Sequence, residues 1–297
     1  MSYLKLLYRR RTRLTYWIEE VKKTLSPVTA HSYNGLIKHL LLYEERWGIK
    51  DPRLSHIGLN YCQGFARYLA QADNARTQIP RPLSINTQKK LLIQLETILN
   101  KAVRSGLLPS NPCSELDFSF KKTLPKRHYL THEEIQRLQH TRCRNEIIKN
   151  AFLFSCFCGL RWSDIKSLEW EDIQAYGPRW AISKQMVKTG EWVFLPLSES
   201  AQSFLPPKNN CGIVFSLPTP AWVNAVIREW ALLAGIQKKV TFHTARHSFA
   251  TLLLTVGADI YTTSKLLGHT RLSTTQIYAQ IIDEKKRRTV MLLDELL

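Results

Sequence analysis

The sequence has no long hydrophobic run. Its longest near-continuous apolar stretch, Ala151 to Leu160, is ten residues, whereas a helix crossing a bilayer needs roughly 20. A membrane-spanning helix, and with it a membrane partner, is therefore not expected. The first residues lack the pattern of a secretory signal. Arg9, Arg10, Arg11 and Arg13 interrupt the apolar positions, and Glu19 and Glu20 follow. Among the cysteines Cys62, Cys113, Cys143, Cys156, Cys158 and Cys211, no pair has the C-x-x-C spacing of a zinc site. Cys156 and Cys158 sit inside the apolar run and read as core thiols in a reducing compartment. No internal repeat is present. Acid is also scarce, with 24 Asp+Glu against 42 Lys+Arg over 297 residues, a net charge of +18. Solubility alone needs a charge magnitude of only ~2–8 in a small domain. The excess points to an anionic partner, and the composition favours nucleic acid over an acidic protein or a membrane surface.

What is there is a chain 44% hydrophobic, enough for real cores, and of a length that suits one or two domains. Residues 1–126 hold 21 basic and 9 acidic side chains, and residues 127–297 hold 21 and 15. Both halves are positive, so an anionic partner is expected to touch both.

The first half reads as helices. Val28 to Trp47 places Tyr33, Leu36, Ile37, Leu40, Leu41 and Trp47 at helical spacing, with Ser26-Pro27 as a start and Gly48 as a stop. Further helices are predicted over Leu59 to Ala72 and from Ser84 to Ser105. Arg76 to Pro82 reads as a basic loop. Pro109 to Arg127 loses helical periodicity and reads as a linker. Thr131 and Glu134 then form a capping box. The second half is mainly helical with a β patch. A buried helix is predicted over Asn145 to Cys158, ending at Gly159, and short strands over Trp180 to Lys184 and Glu191 to Leu195, joined through Lys188-Thr189-Gly190. Helices around 219–234, 243–256, 260–267 and 272–282 follow, and then an amphipathic segment from Lys285 to Leu297. The expected fold class is mainly α with a small antiparallel β-sheet. The expected domains are 1–116, a basic linker 117–127, and 128–297.

Four segments carry chemistry. In Gly159-Leu-Arg161-Trp-Ser-Asp164, a guanidinium follows the glycine that ends an apolar helix, where it can fork onto a phosphate or pair with Asp164. In Met186-Val-Lys188-Thr-Gly190, a lysine stands at a hairpin tip, with Lys184 four residues earlier. In His243-Thr-Ala-Arg246-His247, His243 and Arg246 share a helical face. The two histidines are spaced as in a zinc-protease helix, but Thr244 stands where that motif needs glutamate, so no metal site is expected. The fourth is Leu266-Leu-Gly-His269, with Tyr278 nine residues after the histidine. On chemistry alone Tyr261 is as good a nucleophile as Tyr278.

Taken together, G-L-R-W-S-D, H-T-A-R-H, L-L-G-H and the following tyrosine resemble the boxes of the tyrosine recombinases, or phage integrases. The resemblance is close over 128–290. In the first half it is limited to length, helicity and charge. It implies a helical core-binding domain joined to an α/β catalytic domain, the two clamping duplex DNA. It implies Arg161, Lys188, His243, Arg246, His269 and Tyr278 as the catalytic set, with Asp164 and His247 in support. Lys188 is preferred to Lys184 because it sits at the turn. The order of the boxes excludes Tyr261. By resemblance Tyr278 attacks a phosphodiester to give a 3′-phosphotyrosyl bond, Lys188 protonates the leaving 5′-oxygen, His243 is the base, and His269 hydrogen-bonds a phosphate oxygen.

The chemistry is coherent. A phenol of pKa about 10 needs a proton acceptor and a phosphate drained of charge, and two arginines supply the latter. No cofactor is required, because the covalent link conserves the bond energy. The resemblance also implies a homotetramer on paired recombination sites, passing through a Holliday junction, and accessory DNA-bending proteins. It implies a cytoplasmic location with bacterial or phage origin. The expected role is integration or excision of a mobile element. A dimer resolvase of the Xer type and a DNA invertase are the alternatives, ahead of a non-catalytic DNA-binding protein or a type IB topoisomerase. With about 25 residues before the first core helix, an arm-binding module is not expected. Arg76, Arg81, Lys121, Lys122, Lys126 and Arg127 are expected to hold DNA. The tail from Lys285 is expected to dock on a neighbouring protomer.

Overall fold

A computed structural model describes residues 12–74, 81–116, 128–209, 211–278 and 290–291. The expected linker cations Lys121, Lys122, Lys126 and Arg127, the loop residue Arg76 and nearly all of the tail from Lys285 lie outside those residues. The chain divides into two compact units, Met1–Thr123 and Leu124–Leu297.

The first unit is helical. Helix α1 (Leu14–Lys23) buries Leu14, Ile18 and Val21, the face that an i, i+4, i+7 spacing creates. The single helix predicted over Val28 to Trp47 is instead two, α2 (Pro27–Ser32) and α3 (Asn34–Arg46). The backbone of Tyr33 stays helical, but its amide bonds to the carbonyl of Ala30, a tightening by one residue that splits the hydrogen-bond ladder. The start is as read: Ser26 caps and Pro27 occupies the first turn. Helix α4 (Leu59–Gln71) and the long α5 (Ile85–Arg104), capped by Ser84, complete the core. Leu36, Leu40, Phe65, Leu95 and Ile98 are fully buried at its centre. Tyr43 is packed by Trp47, Tyr61, Phe65 and Tyr68, with ring centroids 5.0 to 5.8 Å away. Its hydroxyl lies where a Cβ on Gly64 would be, 2.3 Å away, so α3 and α4 approach closely only because residue 64 has no side chain.

The second unit opens with α6 (His132–His140), whose N-terminus carries the Thr131–Glu134 capping box. Its centre is α7 (Glu146–Cys158), capped by Asn145, with Ala151, Phe152, Leu153, Phe154 and Cys156 wholly buried. Residues this apolar on every side make a helix that must be surrounded. Burial raises both Cys156 and Cys158 thiols, the latter to about 12. Helix α8 (Trp162–Lys166) leads to a sheet of three antiparallel strands in sequence order, β1 (Ile173–Tyr176), β2 (Arg179–Gln185) and β3 (Trp192–Pro196). The sequence predicted two of them; β1 is the addition. After α9 (Glu199–Gln202) come α10 (Pro220–Leu233), α11 (Phe242–Thr255) and α12 (Ile260–Leu266). The helix predicted over 272–282 is replaced, as far as Tyr278, by two 3-10 turns, Leu272–Thr274 and Gln276–Tyr278. Thr275 between them is fully buried and bonded to His269, and that tertiary contact overrides helical continuation. Among the described residues no helix is long and apolar enough to cross a membrane. None of their His, Cys, Asp and Glu side chains cluster in threes around a potential metal.

Candidate active site

The site is assembled on backbone carbonyls. Helix α7 ends at Gly159 with φ +70°, a left-handed conformation that favours glycine. A Cβ there would also strike the ring of Phe249 at 2.2 Å. The Gly159 carbonyl accepts from Arg246 Nη1 on α11 at 2.7 Å, and the Leu267 carbonyl accepts from Arg246 Nη2 at 2.5 Å. The next carbonyl, of Gly268, accepts from Arg161 Nη2 at 3.3 Å. The Leu-Gly-His box thus holds both arginines through two successive carbonyls. A carbonyl fixes a guanidinium without cancelling its charge, which remains available to an anion.

One carboxylate serves the pair. Asp164 is fully buried, and its Oδ2 lies 3.9 Å from Arg161 Nη1, beyond hydrogen-bond range. Among the described residues those two atoms have no hydrogen-bond partner. Asp164 Oδ1 accepts from the amide of Val187 at 2.8 Å. The carboxylate therefore ties the turn carrying Lys188 to the helix that Arg161 begins. Arg246 is 3% exposed, and burial, then the charge of Arg161, lowers its pKa to about 10.

The two lysines separate cleanly. Lys184 is buried and donates to Asp172 Oδ2 at 2.6 Å and to the Ser167 carbonyl at 2.7 Å. Lys188 is exposed on the turn between β2 and β3 that Gly190 closes with φ +71°. The tyrosines separate too. Tyr261 is 62% exposed on α12, with Lys265 Nζ 5.4 Å from its ring centre. Tyr278 is 6% exposed, close enough to Arg246 for its charge to be felt there. Its Oη makes a 2.5 Å hydrogen bond with His247 Nδ1. The His243 ring stands edge-on to His247, with centroids 4.6 Å apart, and faces solvent. His269 Nδ1 bonds to Thr275 Oγ1 at 2.8 Å. Its pKa is lowered to about 4, first by burial and then by Arg246 and Arg161. It is therefore a neutral hydrogen-bonding group at neutral pH.

Residues 217–285 match the model of the phage integrase family, and residues 14–121 match the phage integrase SAM-like domain. The chain is 30% identical over 231 residues to tyrosine recombinase XerD of Proteus mirabilis, covering 70% of this chain and 72% of that one. The chain belongs to the tyrosine recombinase family. A tyrosine recombinase of Pseudothermotoga lettingae is 27% identical over 276 residues, 89% of this chain and 91% of that one. The fold of this recombinase is also that of XerH bound to a palindromic difH substrate (TM-score 0.69, 16% identity, 93% of this chain and 84% of that one). A lambda integrase dimer bound to a COC′ core site shares it as well (TM-score 0.65, 17% identity, 89% and 97%).

Arg161, Asp164, Arg246, His247, His269 and Tyr278 are joined by the contacts above. Lys188 is reached through the Asp164–Val187 bond, and His243 through His247. Arg81 is exposed in the first unit. Sequence reading missed Thr275, the partner of His269, and Asp172, the partner of Lys184. Thr275 lies three residues before Tyr278, whose amide bonds back to the Thr275 carbonyl at 3.1 Å. A threonine in that short interval is the only sequence signal it leaves. The three carbonyls that hold the arginines leave none.

Proposed function

We propose that this site-specific DNA recombinase cleaves and rejoins DNA through Tyr278, with Arg161 and Arg246 on the non-bridging oxygens of the scissile phosphodiester. The observation that carries this reading is the pair of guanidiniums held by carbonyls, with Tyr278 beside Arg246. That arrangement presents fixed positive charge where a pentavalent phosphorane gains negative charge, the most productive kind of electrostatic assistance. His269, neutral and oriented by Thr275, donates to a phosphate oxygen through its other ring nitrogen. Lys188, at the tip of a turn anchored by Asp164, protonates the departing 5′-oxygen. Lys184 is committed to Asp172 and serves the sheet.

The partner is double-stranded DNA carrying a recombination site, bound by both domains, and the working assembly is a homotetramer that passes through a Holliday junction. Accessory DNA-bending proteins belong to the same picture. The favoured role is integration and excision of a mobile element. The similarity to XerD makes dimer resolution the alternative. The domain limits are 1–116 and 128–297, with a basic linker between.

The test uses a nicked suicide duplex containing a site recovered by binding selection from random DNA. The full chain should form a covalent protein–DNA adduct, and Y278F should form none. An adduct that survives Y278F, or relaxation of plasmids without site preference, overturns the reading.

A further inference from the structure

The phenol of Tyr278 and His247 are both buried and hydrogen-bonded to each other, whereas His243 is exposed one helical turn earlier. The resemblance gives the base to His243. The atom on Tyr278 that must lose a proton is instead in contact with Nδ1 of His247. We propose that His247 is the proton acceptor for Tyr278, and that His243 acts from the solvent side of that pair. The proposal rests on Tyr278 being the nucleophile.

The step balances. With the proton of His247 on Nε2, the lone pair of Nδ1 accepts from the phenol. As Tyr278 Oη bonds to phosphorus, its proton passes to Nδ1 and the P–O5′ bond breaks. The departing 5′-oxygen takes a proton from Lys188. Rejoining reverses each transfer: the 5′-hydroxyl attacks and returns its proton to Lys188, and the imidazolium returns its own to the phenolate.

Charge favours this order of events. Among the described residues, the charged and titratable groups around His247 include His243 and Arg246 on its own helix, and Tyr278 on the turn packed against it. Arg161 and Asp164 lie beyond Arg246, which feels them both. His269 is within electrostatic reach of His243, Arg246 and Arg161. Without DNA, an imidazolium here adds a further cation to two guanidiniums. The incoming phosphodiester brings the compensating negative charge, so proton transfer is coupled to the arrival of substrate. The same hydrogen bond keeps the phenol buried until then.

Because the contact runs through Nδ1, asparagine is the informative replacement. Its amide can occupy the position of Nδ1 and keep Tyr278 seated, but it does not accept a proton near neutrality. Single-turnover adduct formation is measured on the suicide duplex for H247N and H243N, alongside half-site binding and thermal midpoint. H247N is expected to bind and melt like the unaltered chain, yet to cleave ~10²–10⁴-fold more slowly. Its rate should climb with pH as hydroxide replaces the missing acceptor. H243N is expected to lose less and to keep the pH profile of the unaltered chain. A substrate with a 5′-bridging sulfur, whose leaving thiolate needs no acid, should rescue K188A but not H247N. The proposal is overturned if H247N cleaves within about threefold of the unaltered chain, if the sulfur substrate rescues it, or if the change in pH profile appears in H243N instead. A low melting point is settled by H247Q, which fills the volume but reaches from the Nε2 position. Equal cleavage by folded H247Q and the unaltered chain likewise overturns it. In each of these outcomes Y278F still reports separately on the nucleophile.

Discussion

Two sets of buried polar side chains, one in each unit, are held in opposite ways. In the first unit two buried pairs close on themselves: Tyr61 donates to Glu44 at 2.6 Å, and His39 meets Tyr68 at 3.2 Å. Burial raises the Glu44 carboxyl and lowers the His39 imidazole. Both are thereby held nearer their neutral forms, and the pairs are structural. In the second unit Arg246 and Arg161 are held by main-chain oxygens, and Arg161 Nη1 and Asp164 Oδ2 are buried without hydrogen bonds among the described residues. Polar groups that pair off stabilise a fold. Polar groups held but not paired keep their capacity for a ligand.

Substitutions in each unit separate these two kinds of burial. The largest effect is expected from R246A, which should cut single-turnover adduct formation by ~10³-fold while leaving half-site affinity within several-fold. Equal losses of cleavage and binding would show that Arg246 only holds DNA. Next, K188A should lower cleavage ~10²-fold or more with no change in thermal midpoint. K184A should do the reverse, leaving Asp172 without its ion pair and destabilising the unit by about 1–3 kcal/mol. In the first unit, Y61F removes the donor to buried Glu44. It should cost about 1–3 kcal/mol in urea unfolding and leave cleavage at saturating protein unchanged.

The smallest effect concerns His269. Its folded pKa of about 4 lies below the ordinary 6.5, so its stabilising contribution is present above pH 6.5 and is lost as the pH falls toward 4. Melting between pH 7 and 4.5 should therefore fall further in the unaltered chain than in H269N. Parallel curves would show that the His269 environment contributes nothing to acid sensitivity.

Legibility in the sequence follows the range of the interaction. Caps and stops are local, and Ser26, Ser84, Thr131, Asn145 and Gly159 announced their helix ends. Strand β1 was invisible because only Ile173 of its four residues is buried, so no alternation exists to read. Helix α1 was hidden by the arginines that precede it, although Leu14, Ile18 and Val21 have helical spacing. The break at Tyr33 and the two turns around Thr275 depend on hydrogen bonds that composition does not encode. In the site, the boxes identified side chains whose chemistry is rare and ordered. Their geometry separated Lys188 from Lys184, and Tyr278 from Tyr261. It also brings forward His247, to which the resemblance gives only a supporting role.

The carbonyl-held arginine pair also has a thermodynamic consequence. Two guanidiniums sharing one buried carboxylate repel each other in the resting molecule, and burial first, then this repulsion, lowers the pKa of Arg246. A tetrahedral oxyanion bound at the proposed phosphate site offsets that repulsion in the folded unit. Through linkage, an anion that binds only the folded state raises its melting temperature as its concentration rises. Sulfate or phosphate in the buffer should act in that way, as a small surrogate for the scissile group. Stability of the catalytic unit and its readiness for substrate are then two readings of a single charge imbalance.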